Sequence, residues 1–173
     1  MRLLLLALAV LVGAVLVGRG AGRAFAQPNR GRYLVEVMGC GDCHTPGYFL
    51  GKPDRSRLLG GSDVGFGIPG VGVFVGPNLT PDVETGLGRW SVEQIVTAFT
   101  KGVRPDGRIL APMMPWRSFA SLTPADARSV AEYLKTLPAV KHKVAGPFGA
   151  HDVPSVPVLA VIPGEMFPKL PAP

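Results

Sequence analysis

Cysteine is nearly missing from this chain of 173 residues: two are present, Cys40 and Cys43, and histidine occurs only three times. A structural zinc centre wants further Cys or His ligands at a matching spacing. Beyond His44 the chain offers only His142 and His151, nine apart in a proline-rich stretch. Dense runs of like charge are missing too. Lys52, Arg55 and Arg57, and Lys141 with Lys143, are the richest positive groups. Neither is a basic run of the kind that tracks phosphates, so a nucleic-acid partner is not expected. Each reads as a solvated face, with steering of an acidic partner as its other use. Long apolar runs are also lacking. The longest, residues 3–18, holds about 16 residues and falls short of the roughly 20 that span a bilayer.

That run follows Met1-Arg2 and leads to Ala24-Phe25-Ala26, just before Gln27-Pro28-Asn29. The order is positive n-region, apolar h-region and small residues at a cleavage site, so residues 1–26 read as a signal peptide. A periplasmic location follows, with a retained N-terminal anchor as the alternative. Removing Arg2, Arg19 and Arg23 lowers Lys plus Arg from 18 to 15 against 12 acids. About 147 residues then remain, enough for one domain with a core. Its expected extent is 27–143, followed by a Pro-rich extended tail over 144–173. Between Thr45 and Trp90, Gly and Pro crowd the chain with no sustained period of 3.6 or 2.0. Little regular structure is expected there, and a large apolar cofactor is the natural element to hold so long a loop.

The two cysteines form Cys40-Gly41-Asp42-Cys43-His44. Two thiols three positions apart at a helix end can each add to a vinyl group on one edge of a porphyrin. His44 follows directly, so its imidazole can lie over the iron. Covalent attachment suits an exported protein, which cannot rely on retaining a loose cofactor. A thioredoxin-like dithiol would instead follow a strand in a βαβ pattern, and none precedes Cys40. One haem per chain, bound through Cys40, Cys43 and His44, is the reading that fits.

A haem that only passes electrons is usually closed by a second axial ligand, with Met favoured for high potential. Met38 is too near the attachment motif to reach the other ring face, and Met166 lies in a Pro-flanked tail. Pro112-Met113-Met114-Pro115 is stiffened at both ends, because each proline fixes its own φ and restricts its predecessor. Neighbouring side chains in extended backbone point opposite ways, so only one of the pair should reach iron. Met114 is taken as that ligand, with Met113 as ordinary core packing.

Three or four helices are expected around the site. Residues 30–39 can form a short helix with Tyr33, Leu34 and Val37 as apolar contacts and Gly31 open to close approach. Ser91-Val92-Glu93-Gln94 reads as a capping box, Ile95, Val96, Ala98 and Phe99 as an apolar face, and Lys101-Gly102 as the stop. Thr123-Pro124 starts another helix, with Val130, Ala131, Leu134 and Leu137 at helical spacing before Pro138. The helix holding Tyr133 should cross the one holding Gly31, since Gly against an aromatic allows close axes. The expected fold class is all-α.

Several segments resemble class I cytochromes c, and look like the bacterial cytochrome c domains associated with alcohol, aldehyde and sugar-acid dehydrogenases. They are Gly31-Arg32-Tyr33-Leu34, Cys40 to His44 with Thr45-Pro46, and Gly76-Pro77-Asn78-Leu79-Thr80-Pro81. Thr85-Gly86-Leu87-Gly88-Arg89-Trp90-Ser91, Arg104-Pro105-Asp106-Gly107-Arg108, Met114-Pro115-Trp116 and residues 122–137 complete the set. The resemblance implies haem c with His44 and Met114 as axial ligands, and terminal helices packed across one another. It also places Asn78, Trp90 and Arg104 where side chains line the haem pocket or approach the propionates, although Trp90 reads equally well as a large core residue. The chain has a single attachment motif, unlike the multi-haem dehydrogenase subunits.

The implied function is electron transfer rather than catalysis. Electrons would pass from a dehydrogenase or quinol-oxidising complex to an acceptor such as an oxidase, by a free shuttle or the cytochrome subunit of a dehydrogenase complex. Membrane contact would come only through partners or a retained anchor. Two other readings are a five-coordinate haem that acts on a small molecule such as peroxide, and a haem-free dithiol oxidoreductase.

Overall fold

The computed structural model describes residues 30–169, so the expected signal peptide lies outside the described residues. The first described helix, α1 (Arg30–Val37), buries Gly31, Leu34 and Val35. These positions lie at i, i+3 and i+4, one face of a helix. A Cβ on Gly31 would run into the Ser129 carbonyl and Tyr133, so the crossing expected between these two helices is present and depends on glycine. The inward face is turned from the expected one. Tyr33 and Val37 are 54% and 61% exposed, because seating Gly31 against the partner backbone rotates Val35 inward instead.

Beyond α2 (Cys40–His44), three more helices follow: α3 (Val92–Lys101), α4 (Trp116–Phe119) and α5 (Pro124–Thr136). The capping box of α3 is complete. Ser91 Oγ accepts from the Gln94 amide at 3.1 Å, and Gln94 Oε1 accepts from the Ser91 amide at 2.9 Å. Gly102 closes the helix in the left-handed region, its N–H donating to the Ala98 carbonyl. Thr123 Oγ1 caps α5 by accepting from the Asp126 amide at 3.1 Å, with Pro124 at the first helical position. Helix α3 packs against α4 and α5. Ile95 and Phe99 of α3 meet Ala127, Val130, Ala131 and Leu134 of α5 in one core, joined by Leu34 and Val35 of α1 and by Leu59 and Leu87 from loops.

The all-α expectation does not hold. Four short strands, β1 (Gly65–Ile68), β2 (Gly72–Val75), β3 (Phe148–Gly149) and β4 (Val158–Ala160), form a mixed sheet in the order β3-β2-β1-β4. β1 and β2 pair antiparallel in the register Phe66 with Phe74, joined by a turn in which the Val71 amide donates to the Ile68 carbonyl at 3.0 Å. Pro69 and Gly70 occupy its centre, with Gly70 at φ 76°, as a type II turn requires. The tail then returns twice. β3 lies antiparallel to β2 through Val73 and Phe148, and β4 lies parallel to β1 through Phe66 and Leu159. The physical reason is backbone satisfaction. Neither the Gly-rich hairpin nor the Pro-rich tail can hydrogen-bond within a helix, so each supplies what the other lacks.

The loop before the hairpin is also ordered by the chain itself. The Leu59 amide donates to Thr45 Oγ1 at 3.1 Å, the Leu79 amide to the Leu59 carbonyl at 2.8 Å, and the Ser62 amide to the Gly76 carbonyl at 2.8 Å. These bonds fold residues 45–79 back over α2.

Candidate functional site

His44 is the centre of the site. It is 5% exposed at the end of α2, and its Nδ1 lies 2.7 Å from the Pro77 carbonyl oxygen. A carbonyl can only accept, so Nδ1 carries the proton and Nε2 keeps its lone pair free for a metal. Burial holds the imidazole below its ordinary pKa, against a smaller opposite push from the Pro77 carbonyl. The ring is therefore neutral at pH 7, the form that ligates. The His44 carbonyl is held in turn by the Gly61 amide at 2.8 Å. Gly76 makes the close approach possible, since a Cβ there would collide with the Cys43 carbonyl.

Cys40 and Cys43 are free thiols on the same short helix, both partly buried. Burial pushes the Cys40 thiol up to about 11, with Asp42 and Cys43 adding to the shift, and pushes Cys43 upward too, again with help from Asp42. Reactive dithiols depend on a lowered pKa and an electropositive setting. This pair has neither, which weighs against a dithiol oxidoreductase.

Met114 and Cys40 pack against the same buried cluster. Met113 is 40% exposed, so the expectation that it fills the core fails, and the pair lies in a turn closed by the Met114 amide on the Ala111 carbonyl at 3.0 Å rather than in extended backbone. Asn78 is 2% exposed with its amide fully used. Its Nδ2 donates to Val140 O at 2.7 Å and Thr85 Oγ1 at 3.1 Å, and its Oδ1 accepts from the Thr80 amide and hydroxyl. With nothing left to offer a ligand, Asn78 locks the chain that presents the Pro77 carbonyl.

Trp90 and Arg104 form a second group. The Arg104 guanidinium carbon lies 5.3 Å from the Trp90 ring centroid, within cation–π range. Both line a cavity of about 480 Å³ with Thr85 and Arg89. Burial pulls Arg104 below its ordinary pKa, with Arg108 adding repulsion. Its Nε is buried without a hydrogen-bond partner, and the Asp106 carboxylate stands 3.6 Å away. That carboxylate is an acidic partner at ion-pair distance, too far to accept a hydrogen bond from Nε.

Several functional positions carry no sequence signal. Pro77 acts through a carbonyl, which any residue possesses. Lys135 donates from Nζ to the carbonyls of Gly88 at 2.9 Å, Trp90 at 3.1 Å and Leu87 at 3.3 Å, fixing the turn that presents Trp90. On a helix face it reads as one more solvated lysine. His142, a conceivable ligand by residue type, instead places Nδ1 2.7 Å from the Gly60 carbonyl. Among the described residues no three His, Cys, Asp or Glu cluster in a way that could hold a metal ion.

Two free thiols and a neutral imidazole on one helix, a partly buried thioether, and an open arginine donor form a donor set that fits a covalently tethered haem. Residues 28–138 match the Cytochrome c family, and the chain belongs to it. Members carry haem c covalently and act as electron carriers rather than catalysts. The chain is 36% identical over 114 residues to the fructose dehydrogenase cytochrome subunit of Gluconobacter japonicus, covering 64% of this chain and 22% of that protein. It is 34% identical over 127 residues to the cytochrome c subunit of the quinone alcohol dehydrogenase of Gluconobacter oxydans, covering 71% and 25%. A diheme cytochrome c-type protein of Cereibacter sphaeroides is 38% identical over 120 residues, covering 66% and 37%. The matched regions thus span about a quarter to two fifths of these relatives' lengths. Among the described residues no helix is long and apolar enough to cross a membrane.

Proposed function

We propose that this chain is a monohaem electron carrier of the periplasm, exported by residues 1–26, with its cytochrome domain over 27–143 and the tail over 144–173. It would take electrons from a dehydrogenase or quinol-oxidising complex and pass them to an acceptor such as an oxidase. The observation that carries the reading is the buried, neutral His44, its Nδ1 proton committed to Pro77 O, one residue from a free thiol. The haem supplies an iron that alternates between Fe(III) and Fe(II). Cys40 and Cys43 would tether it through thioethers, and His44 Nε2 and the Met114 sulfur would ligate its iron. Arg104, whose Nε–H makes no hydrogen bond, would hold a propionate, with Trp90 against the guanidinium. The dehydrogenase donor is inferred from relatives that are cytochrome subunits of fructose and alcohol dehydrogenases.

Absorption spectroscopy of the purified holoprotein tests the ligand set. A low-spin spectrum with a Met-to-iron charge-transfer band that disappears in Met114→Ala is expected. A high-spin wild-type spectrum would favour the five-coordinate reading instead, and a colourless protein without covalent haem would overturn both.

A further inference from the structure

We propose that residues 140–142 form a strap that positions the His44 imidazole, with His142 as the positioning residue. The proposal rests on His44 as an axial ligand. Two backbone handles hold this histidine: the Pro77 carbonyl at Nδ1 and the Gly61 amide on its own carbonyl. Both handles are tied to the same short segment. Pro77 precedes Asn78, whose Nδ2 donates to the Val140 carbonyl at 2.7 Å, and the Val140 amide returns a bond to Thr80 Oγ1 at 3.0 Å. Gly61 follows Gly60, whose carbonyl accepts from His142 Nδ1 at 2.7 Å. The His142 amide adds a bond to Thr85 Oγ1 at 3.1 Å, and Thr85 is itself a partner of Asn78.

The packing is as close as the bonding. A Cβ at Gly60 would stand 3.0 Å from Val140 Cγ1, and one at Gly61 would collide with Val144. Residues 140–142 lie beyond 138, where the family match ends. They therefore add a layer outside the matched domain, applied to the side of the site that carries His44.

The Nδ1–H partner of a ligating histidine sets its orientation and basicity. A firm carbonyl acceptor makes the imidazole a stronger donor and favours Fe(III). Releasing Gly60 from His142 loosens the 60–61 handle on the His44 carbonyl, which lets the ring shift against Pro77 and lengthens the Nδ1–H bond, so the reduced state gains. For the holoprotein with His142→Ala, the Fe(II) to Fe(III) ratio at fixed ambient potential is expected to rise about threefold. That corresponds to about 28 mV, at 59 mV per tenfold for one electron. NMR should show the His44 Nδ1–H exchanging with solvent about tenfold faster. His142→Gln keeps a donor for Gly60 and should restore both readouts, which a merely stabilising residue would leave unmoved. If His142→Ala does not accumulate as folded protein, His142→Leu keeps the bulk, removes the donor, and carries the same expectation. A wild-type potential with wild-type proton exchange in the folded variant overturns the strap alone. A wild-type chain without covalent haem overturns the ligand reading and the strap together.

Discussion

Helices α3 and α5 carry their own caps and pack against each other through Ile95, Phe99, Ala127 and Ala131. The β1–β2 hairpin owns only its turn, and its outer strands come from Phe148–Gly149 and Val158–Ala160, far along the chain. The two regions also differ in what they bury. Of the residues in β3 and β4 only Phe148 is not exposed, whereas α5 buries four residues. Stability is thus concentrated in the helical frame. The chain around the hairpin instead arranges backbone groups, Pro77 O and the Gly61 amide among them, around one imidazole. Burial of apolar area sets the first region's contribution and geometry the second's.

The strongest test of that division is Gly31→Val. A branched side chain at the crossing must displace the Ser129 carbonyl and Tyr133, so α1 cannot seat against α5. Denaturant unfolding should show a loss above about 3 kcal/mol, or no folded protein at all. A loss below about 1 kcal/mol would mean that the frame is not where stability resides.

Lys135→Met comes next and sharpens the boundary between the two regions. Lys135 belongs to α5, yet all its bonds go to the Leu87, Gly88 and Trp90 carbonyls of the loop. Its removal should cost about 1–3 kcal/mol, the range for losing charge-assisted bonds at a partly buried site. The same variant should also alter the environment of Trp90, read by its fluorescence, while far-UV circular dichroism stays helical. An unchanged Trp90 signal would show that the turn holds itself.

Legibility in the sequence followed the same division. The caps at Ser91 and Thr123, the stops at Gly102 and Pro138, and the crossing at Gly31 are all local chemistry, so residue order revealed them. Cys40, Cys43 and His44 stand out in the sequence because thiol spacing and an adjacent imidazole are themselves a signal, and the structure puts all three on one short helix. The sheet was not. Val73, Phe74 and Val75 after Pro69-Gly70 do mark a hairpin, but glycines at 65, 67 and 72 break the alternation that would have called attention to it. Its partners in the tail could not be found from spacing, because pairing across such separation leaves no periodic trace. Asn78 was picked out, but its action on the loop could not be read. That depends on Thr80, Thr85 and Val140 meeting at one amide.

Leu159→Thr should have the smallest effect, and it tests whether the sheet belongs to the core. Leu159 sits opposite Phe66 on the edge strand and is 44% exposed, with Ala160 and Val158 exposed beside it. Threonine brings a β-branched shape that suits a strand and leaves every backbone bond to β1 in place. What is lost is partial burial of one side chain, so unfolding free energy should change by no more than about 0.5 kcal/mol. A loss above about 1.5 kcal/mol would show the sheet's apolar face sharing in the cooperative core. If the small effect is found, β4 is held by main-chain pairing, and its exposed leucine and valine owe nothing to the folding of the domain.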